Sequence, residues 1–443
     1  MEADIRAAPF MFAESCTQAP LWFCATGVTF LPPPPVRTRH SVARVCAKTA
    51  NGGATTKRGQ MAQESCLLVT TVKDEGANIL EWVAHHRLCG FDRIQIYQNN
   101  STDTTVQTLR ILDRLGIIEF HQNNQGGDAF QIRAYRRAAR SEAFAAADWC
   151  MVLDGDELLN VKVGEHRVQD LIAACPDTAQ TIIVNWRIFG SGGEGEIKHD
   201  LVSEQFTRAE AKTDILERLT AFKPLFRTDS FRKPGIHLPR DPVGGSADKV
   251  LCNASGLMDG EFRRKHWRSC DPGMRQFAQV NHYILRDLTS FLVKHARGSA
   301  NAPHRDLGLN YWRTHNRNEA VVTSLADRAP AIRDEMRRLN ELSDGRLMPL
   351  RARAVRQHRL RVEEMLKDDA VAALRDAILA EMEAAPVPPV EEAEVPASTS
   401  RAIGVTPFRL PDAVKRQAVF HSVRAPAPDT ATPGSSRKKT VRA

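Results

Sequence analysis

Three carboxylates fall within four residues at Asp154-Gly155-Asp156-Glu157. They follow Trp149-Cys150-Met151-Val152-Leu153, a short apolar run of bulky and branched side chains. Such a run suits a central parallel strand, and open α/β sheets bind ligands at the carboxyl ends of their strands. Two aspartates separated by one glycine can direct two hard oxygens at a single divalent cation. The same residues also make an ordinary polar turn, because Asp-Gly is common turn chemistry. The elements around the motif must decide between the two.

Those elements alternate. Cys66–Val72 reads as a strand. Asn78–Cys89 reads as a helix with Ile79, Leu80, Val83 and Leu88 on its apolar face, closed by Gly90. Arg93–Gln98 is an alternating strand. Ser101 and Asp103 offer N-cap chemistry to a helix striped by Val106, Leu109, Leu112 and Leu115. Ile117–His121 reads as a third strand and Phe130–Ala147 as a third helix. Strand and helix in strict succession imply a mostly parallel sheet with helices on both faces, an α/β fold.

The strands end in polar residues at one edge. The first leads into Thr71, Lys73, Glu75 and Asn78, the second into Asn99, Asn100 and Asp103, the third into Asn123 and Asn124. Gln131 and Arg133 open the third helix. Loops are polar by default, but a purely structural sheet needs no such convergence. Beyond Glu157 the pattern loosens: Thr181–Ile188 is a strand, Gly190–Gly195 a glycine-dense loop, and Lys223–His237 mixes strand-like pieces with prolines. Val280–Leu285 reads as a strand followed by a helix through Lys294. Residues 331–381 are helical and charged, with Val362, Met365, Leu366, Leu374 and Ile378 as an apolar stripe that docks on the core or on a partner.

The net charge of +8 resides in the ends. Residues 1–60 carry seven Lys/Arg and three Asp/Glu, and residues 384–443 carry nine and five, so the middle holds 45 of each. A neutral middle gives no basic groove, which argues against nucleic acid as a partner. Nine scattered cysteines without a Cys-x-x-Cys pair point to a reducing compartment rather than a disulfide framework. No apolar run reaches the ~18 residues of a transmembrane helix. The four-proline run Pro32–Pro35 and the Gly/Thr/Lys stretch after it make residues 1–60 a disordered leader, or sequence ahead of a true start at Met61. Residues 384–443, rich in Pro, Glu, Ser and Thr, read as a disordered tail. Between them lie a domain at about residues 62–300 and a helical extension, 301–383.

Several motifs in order resemble the family-2-like nucleotide-sugar glycosyltransferases of the GT-A fold, and more narrowly a bacterial branch close to the DUF23, or family 92, enzymes. They are Lys73-Asp74-Glu75 with Ile79-Leu80-Glu81-Trp82, Tyr97-Gln98-Asn99-Asn100-Ser101-Thr102-Asp103, and Leu153-Asp154-Gly155-Asp156-Glu157. Trp186 with Phe189-Gly190-Ser191, Lys223-Pro224, Gly235-Ile236-His237, Asn281-His282-Tyr283, and Lys294 with Arg297-Gly298 continue the series to about residue 300. The resemblance implies a GT-A-like domain and transfer of a sugar, with inversion, from a UDP- or GDP-type nucleotide-sugar donor to a glycan or lipid-linked acceptor.

It further implies Mn²⁺ or Mg²⁺, bridging the diphosphate and acting as Lewis acid. Asp154 and Asp156 would hold the ion, with His237 as the first histidine candidate and His282 as the second. Thr71, Lys73, Glu75, Asn99, Asn100, Asp103, Gln131, Arg133 and Asp154 would line the nucleotide-sugar pocket, Asp103 having the N-cap as its rival role. Lys294 and Arg297 would neutralise the diphosphate or form a solvated helix face. The catalytic base falls among Glu157, Glu194, Asp200 and Glu204, with Glu157 and Asp200 foremost. Glu157 could instead hold a metal ligand in place. Glu194 stands where a histidine is expected, and Arg286-Asp287 replaces a basic-Ser pair. The setting so implied is a bacterial cytoplasm, where basic chain ends would aid weak contact with the inner membrane surface. Two rivals use the same residues: a metal-dependent nucleotide or phosphoester hydrolase, and a non-catalytic scaffold.

Overall fold

A computed structural model describes residues 64–124, 130–211, 221–245, 249–258, 272–298 and 307–387. The chain divides into Met1–Met61 and Ala62–Ala443, and every described residue belongs to the second unit. The leader, and the tail beyond residue 387, lie outside the described residues.

The first half alternates strand and helix: β1 (Cys66–Val72), α1 (Ile79–Leu88), β2 (Arg93–Gln98), α2 (Thr105–Arg114), β3 (Glu119–Gln122), α3 (Phe130–Ala138), α4 (Glu142–Ala146) and β4 (Trp149–Val152). These strands pair in parallel in the order β3-β2-β1-β4. β1 lies inside this half, so its apolar stretch Cys66-Leu67-Leu68-Val69 is buried throughout. The expected single helix over Phe130–Ala147 is two. Ala139–Arg140 break it, and Ser141 caps α4 by accepting the Phe144 N–H at 3.2 Å. A serine side chain competes with helical backbone bonding, which favours a restart at that position.

The second half is mixed. It comprises β5 (Glu157–Val161), α5 (Val168–Ala174), β6 (Thr181–Ile188), α6 (Val202–Gln205), β7 (Arg208–Ala209), β8 (Phe222–Arg227), β9 (Phe231–Lys233), β10 (Arg240–Pro242), β11 (Leu251–Asn253) and β12 (Ala278–His282). β8 is antiparallel to both β4 and β6, and β12 runs parallel to β6 and antiparallel to β5, extending the sheet to β3-β2-β1-β4-β8-β6-β12-β5. The ladder between β4 and β8 ends at Met151–Leu225. Pro224, which has no N–H to give, follows where that ladder stops.

Six further elements close the unit, α7 (Leu288–Arg297), α8 (Leu309–His315), β13 (Ala320–Val321), α9 (Ala329–Leu342), α10 (Leu347–Met365) and α11 (Asp369–Ala384), and the helices after α7 dock rather than project. Ile332, Met336 and Leu339 of α9 join the main core with Val83 and Ala84 of α1. Ile378 of α11 is fully buried beside Phe291 and Trp312. The apolar stripe read in the sequence therefore lies against α7 and α8. Among the described residues no helix is long and apolar enough to cross a membrane.

Candidate functional site

The acidic turn is held from several sides. Trp82 of α1, itself buried, donates its indole N–H to the carbonyls of Asp154 at 3.2 Å and Glu157 at 2.9 Å. Arg286 donates to the Gly155 carbonyl at 3.1 Å and pairs with Glu75 at 2.9 Å, tying the turn to the loop after β1. That loop is fastened to the segment leading into the start of α2 by hydrogen bonds in both directions, with Thr102 donating its N–H to Asp74 at 2.7 Å. The N–H of Asp74 donates to Ser101 (3.1 Å), that of Glu75 to Thr105 (2.9 Å), and that of Gly76 to Asp103 (2.8 Å). Gly76 has no room for a side chain, since an added Cβ would stand 2.6 Å from Thr104 Oγ1 and 2.7 Å from Asp103 Oδ2. Asp103 also accepts the Thr105 N–H at 2.9 Å, so both its oxygens serve this junction.

Asp154 has both oxygens engaged. Oδ1 accepts from Gln131 at 2.9 Å and Oδ2 from Lys223 at 2.7 Å. Lys223 enters from β8, fully buried, and lies 3.3 Å from Glu157. Burial would lower the lysine pKa, but Asp154 and Glu157 outweigh it and push it up. Asp156 is held more loosely: Oδ2 lies 3.3 Å from Lys294 Nζ and Oδ1 3.7 Å from His282 Nε2. Burial would raise the Asp156 carboxyl, yet Lys294, His282 and Arg286 hold it well below the usual carboxylate range. Burial lowers the His282 imidazole despite its carboxylate neighbour.

A cavity of about 250 Å³ opens at this point. Asp156, Glu75, Arg286, Lys294 and Arg297 are among the residues that line it. Burial raises the Glu75 carboxyl against the pull of Arg286 and Arg297.

The residues singled out in the sequence fall into distinct places. Glu75, Asp103, Lys294 and Arg297 line the cavity with Asp156. Arg297 donates to the Lys73 carbonyl at 3.0 Å. A second group lies along β2, β3 and α3. Asn123 donates to Asn99 at 2.8 Å and accepts from Arg133 at 2.9 Å, while Asn124 accepts the Asn100 N–H at 2.9 Å. Gln131 links this group to Asp154. Thr71 sits half-buried on β1, opposite Tyr97. His237 and His282 flank one indole, with ring centroids 5.7 and 4.3 Å from Trp186. His237 Nδ1 bonds the Phe222 carbonyl at 3.1 Å, and burial lowers its pKa to about 4. Of the two histidines, His282 is the one beside Asp156.

Both foremost base candidates stand elsewhere. Glu157 is fully buried, accepts the Asp154 N–H at 2.8 Å and is pushed up to about 8 by burial. A carboxyl sealed from solvent behind the turn cannot meet an acceptor hydroxyl, so the base expectation gives way to a structural role. Asp200 is exposed and outside the cavity lining, and its carbonyl accepts from Arg351 of α10 at 2.7 Å. Glu194 pairs with Lys198 at 2.6 Å and Glu204 with Arg333. Three important partners carried no assigned role in the sequence reading: Lys223, Arg286 and Arg361. For Lys223 a signal existed, a lone lysine inside the apolar run Phe222-Lys223-Pro224-Leu225-Phe226.

Among the described residues no three or more His, Cys, Asp or Glu side chains are grouped to hold a metal ion. The described residues nearest to such a site are the Asp156 carboxylate and the His282 imidazole, 3.7 Å apart.

Residues 65–284 match the model of glycosyltransferase family 92. This stretch is a family 92 glycosyltransferase domain. It runs from the start of β1 to the end of β12 and takes in Asp154, Asp156, Lys223 and His282. The sheet and its flanking helices give it a mixed α/β architecture. Among solved structures, the chain is similar to TarS 1-349 of S. aureus in complex with UDP, at 14% identity over 37% of this chain and 47% of that one, TM-score 0.26. It is also similar to TarS 1-349 alone, at 13% identity over 68% and 91%, TM-score 0.27. The alignment spans about half or less of the first three matched structures. No curated protein matches the chain.

Proposed function

We propose that the protein is a metal-dependent glycosyltransferase that moves a sugar, with inversion, from a UDP- or GDP-type nucleotide-sugar to a hydroxyl of a glycan or lipid-linked acceptor. The observation that carries this reading is Asp156. Its carboxylate lies beyond the carboxyl end of β4, lines the cavity, and is held ionised chiefly by Lys294.

The donor set suits a hard divalent ion that completes its shell with substrate. Mg²⁺ sites of this kind use one or two carboxylates plus phosphate oxygens, and a neutral imidazole suits Mn²⁺ as well. Asp156 would hold the ion with His282, and the ion would offset the charge of the departing diphosphate. Lys294, now on Asp156, and Arg297, now on the Lys73 carbonyl, are cations within the same cavity that would bind phosphate oxygens. Asn99, Arg133 and Gln131 would meet the nucleoside along the β2–β3 edge. Asp154, anchored by Lys223 and Gln131, fixes the turn. The setting proposed is the cytoplasm. Basic sequence at both ends would favour an anionic membrane surface if the acceptor is lipid-linked.

The test is a screen of UDP- and GDP-sugars with Mn²⁺ or Mg²⁺ against hydroxyl acceptors, with nucleoside diphosphate release as readout. Acceptor-dependent release that vanishes in Asp156→Asn supports the reading. Metal-dependent release at the same rate without any acceptor favours the hydrolase instead.

A further inference from the structure

The cavity beside Asp156 is not made by the family domain alone. One wall is α10, more than sixty residues downstream of it, which contributes Ala354, Gln357, His358 and Arg361. The helix is firmly placed there. Arg361 pairs with Asp74 at 3.2 Å, His358 Nε2 lies 3.3 Å from Thr289 Oγ1, and Arg351 grips the carbonyls of His199 and Asp200 at 2.7 Å each.

The lining is charged but balanced. Asp74, Glu75, Asp103 and Asp156 face Arg286, Lys294, Arg297 and Arg361. A site built for phosphate alone would carry a surplus of cations; this one does not. Two polar atoms of its lining residues, the Gln357 amide oxygen and the Arg286 Nε–H, are buried without a partner. Leaving such groups unmade is costly, and a ligand that satisfies both must accept and donate, as a hydroxyl does. Tyr283, Ile284 and Val293 add apolar surface, the usual accompaniment of a few convergent polar groups in a ligand site.

Building on the proposed transferase reading, we infer that this cavity is a subsite for one neutral sugar unit and that α10 supplies its reading face, with Gln357 and Arg361 hydrogen-bonding to sugar hydroxyls. The subsite lies next to the proposed cation position, so the unit is the sugar being transferred or the terminal sugar of the acceptor. The helical extension is then part of the binding machinery.

Titration calorimetry and ligand-observed NMR on the full chain test this. The probes are UDP with Mn²⁺, four nucleotide-sugars (UDP-glucose, UDP-galactose, UDP-N-acetylglucosamine and GDP-mannose), and the methyl glycosides of the same sugars. The variants are Gln357→Leu and Arg361→Met, with Leu360→Ala, at an exposed position on the same helix, as control. Melting temperatures establish that each variant is folded. The expected result is that one sugar-bearing probe binds about tenfold more weakly to both cavity variants, while UDP and the control are unchanged within twofold. Loss confined to a nucleotide-sugar identifies the transferred sugar, and loss on a methyl glycoside the acceptor's. Equal binding of every sugar probe by wild type and both variants overturns the inference, as does an equal loss for bare UDP. Absence of UDP binding to the wild type counts against the proposed function, while the methyl glycosides still decide the subsite.

Discussion

The Lys223 ammonium, fully buried on β8, stands 2.7 Å from the Asp154 carboxylate. An antiparallel strand thereby reaches under the end of a parallel one and fixes the first acid of the Asp-Gly-Asp turn. The second acid, Asp156, is left to the cavity. One consequence concerns stability. Replacing Lys223 by Met leaves Asp154 and Glu157 facing each other with no cation between them. Breaking a buried pair from one side costs about 3–5 kcal/mol, and chemical denaturation of Lys223→Met should show a loss of that order. A change within experimental error would mean that Lys223 does not anchor the turn.

Glu157 gives the fold a pH dependence of definite sign. Burial pushes its carboxyl up to about 8 from the ordinary 4.5, with Lys223 pulling the other way. Between those values the folded state holds a proton that the unfolded state has released. The stabilisation is complete below the lower value and lost as pH rises through the upper one. His85 and His237, both lowered to about 4 from 6.5 by burial, act in the opposite sense, but only below pH 6.5. From pH 6.5 to 8, wild type should therefore lose about 1–2 kcal/mol relative to Glu157→Gln, which keeps the acceptor for the Asp154 N–H. Urea denaturation of both proteins at several pH values measures this, and parallel curves would contradict it.

The packing of α11 supports α7, which carries Lys294. Ile378 is fully buried against Phe291 and Trp312. Ile378→Ala should lower stability by about 2–4 kcal/mol through lost burial and the cavity left behind. Thermal melts followed by near-ultraviolet circular dichroism, which sees Trp312, provide the check. An unchanged melting temperature would mean that the extension does not brace the domain.

Much of this arrangement was legible before any coordinates. The alternation from Cys66 to Leu153 marks a parallel half-sheet because β1, β2 and β4 are largely buried strands joined by helices, with β3 half-exposed at the edge. The same periodicity placed Thr71, Glu75, Asn99, Asp103 and Asp154 at one edge. Other features were not legible, for physical reasons. Glu157 looks like Asp156 in sequence, and only the Lys223 counter-charge shows that it turns inward. The β8 strand is obscured by Pro224, whose cost disappears where its ladder with β4 ends. Arg361 lies 287 residues from Asp74 along the chain, and no local pattern announces a contact at that separation. Ser141 interrupts a run whose alanines favour one long helix.

The central claim is that Asp156 holds a divalent ion that recruits a nucleoside diphosphate. Its most direct test is calorimetric titration of UDP and of GDP into the full chain with Mn²⁺, with Mg²⁺, and with EDTA, for wild type and Asp156→Asn. The account predicts that one nucleotide binds wild type at least tenfold more tightly with metal than with EDTA. In Asp156→Asn, which keeps the side chain's shape and removes its charge, the metal should make less than a twofold difference. Equal affinity of wild type with and without metal, or a full metal effect retained in Asp156→Asn, would contradict it.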